Sequence, residues 1–504
     1  MTNSGQSSDD YFYNKDGSLT LKGKTGKRQT VRFRDNQVSI EERAQDELRD
    51  DHHQADELTS KEYHNTDMGN AERLVDRYGD VIRFCYEWNK WLTWDGVKWD
   101  KDDSSNGITQ KAKDTAKSIY TEASETEDSG KRKELAKFAL SCEQAFNLEQ
   151  MIKLAKCEVA IKPDVLDTNK WLLNCQNGTV DLKTGELLAH NKEHLITKVL
   201  PIGYNSSAKC KRWLSFLSEV MNGNQDLISF LKRAVGMSLT GDASERIIFI
   251  LYGTGKNGKT TFLSTIQTIL GDYAQQVPIE ALMAGRHTGA SEDIARLFQV
   301  RFAIATEGKE GQRLNEGLLK QLSGNDKVAA RYLYGHTFEF FPTHKSWLAS
   351  NYKPMIKETA DAIWDRVKLI PFQIAIPEEK QDKHLINKLL VEAAGILAWA
   401  VEGCLEWQRD GIGIPPEVKK ATEAYREEMD IIGNWLKECC IVERCCNTLA
   451  KSLYQSYEQW CNESGEQLVS KKEFGSRLVE KGFIKGHNSK NSVTWQGIGL
   501  ETES

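Results

Sequence analysis

The stretch that decides the fold is Gly253-Thr-Gly-Lys-Asn-Gly-Lys-Thr260, which follows the apolar run Ile247-Ile-Phe-Ile-Leu-Tyr252. After it comes Thr261-Phe-Leu-Ser-Thr-Ile-Gln-Thr-Ile-Leu270, whose apolar residues recur at helical spacing. A strand, a glycine loop and a helix in this order are typical of a phosphate-binding loop. Glycines let successive backbone N–H groups turn toward a polyphosphate, and the helix N-terminus adds the positive end of its dipole.

The loop predicts a site for ATP with Mg²⁺. Lys259 is placed to reach the β- and γ-phosphates, and the Thr260 hydroxyl is placed to bind Mg²⁺. The alternative, a glycine-rich turn without a ligand, is disfavoured by the flanking strand and helix. The predicted ATP-binding residues are Gly253, Thr254, Gly255, Lys256, Asn257, Gly258, Lys259, Thr260 and Thr261.

Composition sets the class of protein. The 504 residues leave room for about three domains. The net charge is −6, which argues neither for nor against nucleic acid because binding depends on local patches. No apolar run is long enough to span a membrane and no signal peptide is evident, so we expect a cytoplasmic protein without membrane contact.

Eleven cysteines in a chain without an extracellular address predict reduced thiols. Cys439, Cys440, Cys445 and Cys446 cluster within eight residues, so a zinc site is one interpretation. The adjacent pairs lack the C-x₂-C spacing of zinc ligands, which favours partly buried free thiols.

Changes in composition divide the chain into four parts. Residues 1–65 are polar and predict a disordered tail; its basic segment 22–28 is either a solvated stretch, which we favour, or a nucleic-acid-binding arm. Residues 66–210 predict a mostly helical domain with two small hairpins. Residues 211–410 predict an α/β domain with a helical lead-in and lid, and 411–504 predict a winged-helix-like domain.

Four tryptophans accompany the first predicted hairpin, in which a two-residue turn at Asp95-Gly96 joins two short strands. Aromatic rings of this kind can stack on nucleic-acid bases. The alternative, which we favour, is that they form the core of a small subdomain with few other large apolar residues. The residues are Trp88, Trp91, Trp94 and Trp99.

Hydrolysis needs an acid, a polar sensor and a cation in addition to the loop. The predicted strand 301–306 ends at Glu307, a single acid that would serve both the metal and the attacking water. The predicted strand 346–350 ends at Asn351, whose amide suits a sensor of the γ-phosphate. Arg366 precedes another apolar strand and is either an arginine finger toward a neighbouring subunit or the partner of an acid such as Asp365.

A hairpin is predicted between the acid and the sensor, over residues 324–341. Its cations Lys327, Arg331 and His336 are candidate DNA contacts, although solvated charge is the commoner role of such residues. Near the C-terminus, a helix opened by Ser470-Lys-Lys-Glu473 and two short strands predict a winged helix. Residues 465–496 carry six Lys or Arg against three Glu, which suits DNA, but winged helices also bind proteins.

Taken together, these motifs resemble the superfamily 3 helicases, in particular the ATPase half of the primase–helicases of phages, plasmids and poxviruses. The resemblance covers roughly 67–500 and includes Ala305-Thr-Glu307, Leu348-Ala-Ser-Asn351 and Ala362-Ile-Trp-Asp-Arg366. It implies an α/β fold with an AAA+ P-loop core built on a parallel sheet, a mostly helical N-terminal domain and a C-terminal winged helix. It also implies a hexameric ring that moves 3′ to 5′ along single-stranded DNA at a forked duplex, with the hairpin in its pore.

Carried over residue by residue, the resemblance makes Lys259 and Thr260 the phosphate and Mg²⁺ ligands, Glu307 the hydrolytic acid, Asn351 the sensor and Arg366 the finger. Many relatives carry a primase domain at the front. Because residues 1–65 are too few for one, we expect a separate primase or polymerase as partner, in the bacterial host of a phage or mobile element. A second departure is Asp365, where relatives often have a basic residue.

The sequence leaves a second function open. An ATP-switched replication initiator or loader would hold duplex DNA through its winged helix and would not unwind processively. A third interpretation, an AAA+ protein remodeller, is disfavoured by the basic hairpin.

Overall fold

The computed structural model describes residues 11–13, 19–22, 28–31, 62–285, 291–306, 308–333, 335–358 and 361–501. Near the N-terminus it contains the strands β1 (Tyr11–Tyr13), β2 (Leu19–Lys22) and β3 (Arg28–Val31), paired antiparallel. The expectation of disorder does not hold for these strands, because their aromatic and β-branched residues favour extended structure. Residues 23–27 of the basic segment lie outside the described residues, and the disorder predicted for the rest of 1–61 stays a prediction.

Residues 62–210 combine helices with two small sheets, ordered β6-β5-β4-β7 and β10-β9-β8. The elements are α1 (Asp67–Tyr78), β4 (Ile82–Cys85), β5 (Lys90–Trp94), β6 (Trp99–Asp102), α2 (Asn106–Glu125), α3 (Ser129–Cys142), α4 (Ala145–Ala155), β7 (Ala160–Ile161), β8 (Leu172–Cys175), β9 (Gly178–Asp181) and β10 (Glu186–Leu188).

Both predicted hairpins are present in this region. In the first, Trp94 pairs with Trp99 across a four-residue loop, so the predicted two-residue turn is wrong. The reason is Asp95, whose carboxylate accepts the N–H groups of Val97 and Lys98 at 2.8 and 2.7 Å and so closes a wider turn. Trp91 and Trp99 are buried, as expected for core residues.

Two lead-in helices, α5 (Lys211–Val220) and α6 (Gln225–Ser238), precede a five-stranded sheet at the centre of the chain. Every neighbouring pair of its strands is parallel, in the spatial order β12-β13-β16-β11-β17, so the predicted parallel sheet is confirmed. The carboxyl ends of the five strands therefore share one edge. The elements of this part are β11 (Ile248–Tyr252), α7 (Lys259–Leu270), β12 (Ala274–Gln276), α8 (Glu292–Ala295), β13 (Phe302–Thr306), α9 (Glu316–Leu322), β14 (Val328–Arg331), β15 (Thr337–Phe340), β16 (Lys345–Ser350), α10 (Asp361–Trp364), β17 (Val367–Pro371), α11 (Leu385–Leu390) and α12 (Ala393–Asp410).

The sheet has a buried layer on each face. Alternate strand residues such as Phe249 and Trp347, whose rings stack 4.2 Å apart, face the helices α5, α6, α7, α11 and α12. Their neighbours Ile248 and Leu348 face α8, α9, α10 and the β14–β15 hairpin. This burial on both faces explains why the strands are continuously apolar in sequence.

Helix α13 (Pro416–Met429) also packs on the sheet, because Tyr425 is buried beside Trp364 and the Thr422 hydroxyl accepts the Leu369 N–H at 3.0 Å. From the sequence, this helix is predicted to belong to the C-terminal domain, 411–504. Asp430 separates it from α14 (Ile431–Cys439): it ends α13, and its carboxylate accepts the Gly433 N–H at the start of α14. Asp430 also forms an ion pair with Lys481.

A separate apolar core begins at Ile432. It unites α14 with β18 (Cys440–Ile441), β19 (Asn447–Leu449), α15 (Ala450–Ser464), α16 (Lys471–Glu480), β20 (Ile484–His487), β21 (Val493–Gln496) and β22 (Gly499–Leu500). Strands β19, β21 and β20 form an antiparallel sheet, and β18 pairs with β22. The predicted capping residue Ser470 accepts the Glu473 N–H at 3.2 Å.

Over the ranges that the structure describes, no helix is both long and apolar enough to cross a membrane. All eleven cysteines are free thiols, as the composition predicts.

Candidate functional site

The glycine loop joins β11 to α7 at the carboxyl edge of the sheet. Gly255 and Gly258 have φ values of +107° and +86°, a backbone conformation that favours glycine. At Gly253 the constraint is space, because a Cβ atom would lie 2.2 Å from the Phe372 carbonyl oxygen. Asn257 donates its side-chain amide to that same oxygen at 2.9 Å, and the Lys256 carbonyl accepts the Ile376 N–H at 2.8 Å. The chain that follows β17 thus holds the loop in shape.

Lys259 is the centre of the site and is only 5% exposed. Its ammonium donates to the Gly253 carbonyl at 2.7 Å, to Asn257 Oδ1 at 2.9 Å and to Asn351 Oδ1 at 3.0 Å. Burial lowers the pKa of Lys259 to about 8. These three oxygens are neutral acceptors, so the buried charge has hydrogen bonds but no negative counter-ion among them. An anion arriving here would supply what the ammonium lacks.

Asn351 meets Lys259 because β16 lies directly beside β11. Tyr252 pairs with Ser350, so the residue that follows β16 lies beside the loop that follows β11. Asn351 is predicted from the sequence at a strand end, and the structure brings it to Lys259. That β16 lies beside β11 depends on the strand order, which the sequence does not indicate.

The predicted acid Glu307 lies outside the described residues. Its strand β13 does belong to the same sheet, and Thr306, the last residue of β13, pairs with Ala349 of β16. The carboxyl end of β13 is therefore at the edge that also carries the glycine loop. The role assigned to Glu307 stays a prediction.

The remaining loop residues differ in exposure. Thr254, Lys256 and Thr260 are exposed, and Thr261 is half-buried, at the start of α7. An exposed hydroxyl on the first turn of a helix, next to a buried ammonium, is chemically suited to a phosphate-bound divalent cation.

Arg366 lies at the amino edge of the sheet, where the strands begin, opposite the carboxyl edge that carries the glycine loop. Its backbone carbonyl accepts the N–H of Ile248, the first residue of β11, whereas Lys259 touches the residue that follows β11. Five strand residues, or roughly 17 Å at 3.3 Å per residue, separate the two positions. The Arg366 guanidinium donates to the Lys320 carbonyl at 3.0 Å and to the Ser323 hydroxyl at 2.9 Å. Burial and the nearby Arg246 lower the pKa of Arg366.

The predicted hairpin is present as β14 and β15, with Arg331 paired to Thr337. Its base packs on the sheet layer through Phe338 and Phe340, which contact Phe298 edge-on at 5.6 and 5.7 Å. The candidate cations are exposed: Arg331 and His336 flank the tip, and Lys327 lies 3.8 Å from Glu339. This hairpin does not meet Lys259, because it emerges at the amino edge of the sheet just before β16 begins.

A group of buried cations at the amino edge of the sheet was not predicted from the sequence. Arg301 donates to the Leu239 and Leu172 carbonyls at 2.8 and 2.7 Å, and Lys345 donates to the Thr240 and Asp242 carbonyls. Burial lowers the pKa of Lys345 to about 7. Leu239 caps the C-terminus of α6, and Thr240 and Asp242 lie in the segment that follows it. The two cations therefore bind the segment between α6 and β11, and Arg301 also reaches β8 through Leu172. A charged residue directly precedes or begins β13, β16 and β17, but this pattern does not indicate which carbonyls the cations contact.

The four clustered cysteines do not converge. Cys445 and Cys446 have their sulfurs within 4.8 Å of each other and of a Glu443 carboxylate oxygen, whereas Cys439 and Cys440 are not in that group. Cys439 ends α14 and Cys440 begins β18, whereas Cys445 and Cys446 lie in the turn between β18 and β19.

Two family models match the chain. The one described as "D5 N terminal like" matches residues 71–222, and the one described as "Poxvirus D5 protein-like" matches residues 427–500. The predicted resemblance to primase–helicases of the poxvirus type is confirmed. The glycine loop lies between the two matched segments of this chain.

Curated relatives agree with this resemblance. "Putative helicase 022R" of Frog virus 3 (isolate Goorha) is 27% identical over 313 residues, 58% of this chain and 32% of that protein. "Putative primase C962R" of African swine fever virus (isolate Tick/Malawi/Lil 20-1/1983) is 25% identical over 327 residues, 59% of this chain and 34% of that protein. This chain therefore spans about a third of the length of these relatives.

Among solved structures, the apo structure of the NrS-1 C terminal region (305–718) aligns with a TM-score of 0.40 and 12% identity. The alignment covers 60% of this chain and 80% of that one.

Proposed function

We propose that this chain is the ATP-driven motor of a DNA helicase, a P-loop ATPase of the AAA+ class and of superfamily 3. The observation that carries the proposal is the convergence of Lys259 and Asn351 at the carboxyl edge of the parallel sheet. Ligands of open α/β sheets bind at this edge. The strand order, with β16 inserted between β11 and β13, supports the same assignment because it brings the predicted acid and sensor strands beside the loop.

In this proposal ATP replaces the neutral acceptors of Lys259 with phosphate oxygens. Thr260 would hold Mg²⁺, and Glu307 would support the metal through water and orient the attacking water. Mg²⁺, when bound, neutralises charge on the phosphates. Asn351 would contact the γ-phosphate or that water, and its present bond to Lys259 supports this role.

The proposal also includes a ring of identical subunits, with a hexamer as its expected size. The support is the position of Arg366, roughly 17 Å along the sheet from the glycine loop of its own chain. A guanidinium so placed can complete an ATP site only in a neighbouring subunit. Its present hydrogen-bond acceptors, two carbonyls and a hydroxyl, are neutral.

DNA is the proposed substrate, with Lys327, Arg331 and His336 as backbone contacts and 3′ to 5′ movement on single strands. The relatives' printed names, helicase and primase, support nucleic-acid processing. A separate primase or polymerase as partner, replication of a virus or mobile element as the setting, and a cytoplasmic location are parts of the same proposal.

The test measures ATP hydrolysis and strand displacement on duplexes with 3′ or 5′ single-stranded tails. We expect single strands to stimulate hydrolysis and the 3′-tailed duplex to be separated. Glu307→Gln should bind ATP without hydrolysing it, and Glu310→Gln, on the same loop, is the matched control that should hydrolyse normally. Unstimulated hydrolysis with no displacement of either duplex would contradict the helicase proposal.

The C-terminal region favours a second candidate, an ATP-switched initiator or loader. Its order of α14, β19, α15, α16, β20 and β21 supports the winged-helix interpretation, in which α16 would enter a DNA groove. Lys472 and Lys485 are exposed on α16 and β20. This candidate predicts duplex binding that depends on Lys472 and no strand displacement, so the assay above separates it from the helicase.

A further inference from the structure

A polar cleft of about 710 Å³ lies between the β5–β6 hairpin and α7, apart from the glycine loop. Lys98 and Lys101 enter it from the hairpin, and Lys198 from the chain that follows β10. Ser264 and Gln267 line the other wall, on the outer side of α7. The cleft therefore joins the N-terminal region to the helix that begins at Lys259.

The acids in this cleft already have partners. Asp100 and Asp272 lie 3.2 and 3.7 Å from the ammonium of Lys98, and Asp103 lies 3.0 Å from Lys90. Asp272 additionally accepts the Val199 N–H at 3.2 Å. These three acids thus share two lysines, Lys98 and Lys90.

Two lysines are left over. Across the described ranges, no acid forms an ion pair with Lys101 or Lys198. Burial and then the neighbouring Lys198 charge lower the pKa of Lys101, although Asp167 and Asp103 act in the opposite direction. Two ammonium groups that repel each other in a partly buried, polar cleft favour an anion between them. The ammonium nitrogen of Lys101 also lies 4.1 Å from the ring centroid of the half-buried Trp88, a cation–π contact.

We propose that this cleft binds the phosphodiester backbone of a single nucleic-acid strand through Lys101 and Lys198, outside the candidate ATP site and the β14–β15 hairpin. The inference rests on the proposed function, because it assumes that DNA is the substrate. Flexible lysine stems and an open, elongated wall of hydroxyl and amide groups suit a backbone without sequence readout. A compact free triphosphate would instead need a cradle of backbone N–H groups such as the glycine loop provides.

The test is equilibrium binding of a fluorescent oligothymidylate to the full chain at several salt concentrations. Lys101→Gln with Lys198→Gln should weaken binding on the order of tenfold and reduce the slope of log affinity against log salt by about 1.4, or about 0.7 per lost contact. Lys113→Gln with Lys117→Gln, two exposed lysines of α2, is the matched control and should change neither quantity. ATP hydrolysis without DNA should stay at the wild-type rate in both variants.

Unchanged affinity and slope in the cleft variant would overturn the inference. If only Lys327→Ala with Arg331→Ala weakens binding, the inference fails and the helicase proposal stands. If the wild-type chain binds no single strand at low salt, both fail. Binding of inorganic triphosphate that depends on Lys101 and Lys198, without binding of the oligothymidylate, would assign the cleft to a free phosphate compound and would also overturn the inference. Thermal unfolding identifies a variant that has merely lost its fold; Lys101→Arg with Lys198→Arg, which keeps both charges, should bind like the wild type.

Discussion

Two buried lysines lie near the two ends of one strand. Lys345 begins β16 at the amino edge, and Lys259 contacts Asn351, which follows β16 at the carboxyl edge. Both ammonium groups are buried, both bind oxygen atoms and both have a lowered pKa. The difference is in the acceptors: Lys345 binds two backbone carbonyls in the segment between α6 and β11, whereas two of the three acceptors of Lys259 are side chains.

Side-chain acceptors can change rotamer, whereas backbone carbonyls move only when the chain itself moves. Exposed residues such as Thr254 and Thr260 also surround Lys259, so a ligand can approach it. We infer that Lys345 fixes the fold and that Lys259 is held ready to exchange its partners. A buried charge therefore indicates a binding site where its hydrogen-bond acceptors can be exchanged for those of a ligand.

The largest effect that would test this difference comes from Lys259→Ala. Loss of the ammonium should abolish ATP hydrolysis, since no other described cation contacts the glycine-loop oxygens, while the chain stays folded. Steady-state phosphate release and thermal unfolding measure the two properties. A variant that still hydrolyses ATP at the wild-type rate would remove Lys259 from the site.

Arg366→Ala tests whether a residue at the amino edge contributes to ATP hydrolysis in a neighbouring subunit. Hydrolysis should fall on the order of 10³-fold, with nucleotide binding retained, because a finger stabilises the transition state. Mixing this variant with Lys259→Ala subunits should restore part of the rate if each supplies what the other lacks. Arg426→Ala, whose guanidinium pairs with Asp361 near the same edge, is a matched control that should hydrolyse normally.

Lys345→Met should affect stability and leave hydrolysis per folded molecule unchanged. Removing the donor leaves two carbonyls without this partner, which should lower the free energy of unfolding by about 1–3 kcal/mol. Chemical denaturation measures this. Lys368→Met, a half-buried lysine of β17, should cost less. A Lys345→Met chain that is fully stable but inactive would reverse the assignment of the two lysines.

The pH dependence of stability gives a smaller signal. The folded pKa of Lys345, about 7, lies below its ordinary value of 10.5, so the unfolded chain binds more protons between these values. The wild type should therefore gain stability relative to Lys345→Met as pH rises from about 7 toward 10.5. Lys259 titrates in both proteins and largely cancels in the difference. A difference that is independent of pH would mean that Lys345 has an ordinary pKa in the folded protein.

The smallest effect concerns nucleotide affinity. Because phosphate favours the charged form of Lys259, whose pKa is about 8 without it, ATP binding should weaken as pH rises through 8. Titration with a fluorescent ATP analogue measures this. Lys259→Arg keeps its charge across that range and should show little of this pH dependence if it binds at all.

The sequence predicted the carboxyl edge better than the amino edge. Each strand–loop junction there carries its own local signal: glycines after β11 and a polar residue after β16. The contacts of Lys345 and Arg301 join residues more than sixty positions apart along the chain, so no local pattern reveals them. Similarly, α13 begins at Pro416, a residue type that suits the first position of a helix, but which core that helix joins is decided by the packing of Tyr425.

One residue, Asp430, ends α13 and begins α14, so no slack linker separates the helix on the sheet from the C-terminal core. A force that a bound partner applies to that core would therefore be transmitted to α13, which packs on β17. Because β17 begins directly after Arg366, the same force would reach the residue proposed to contact the next subunit.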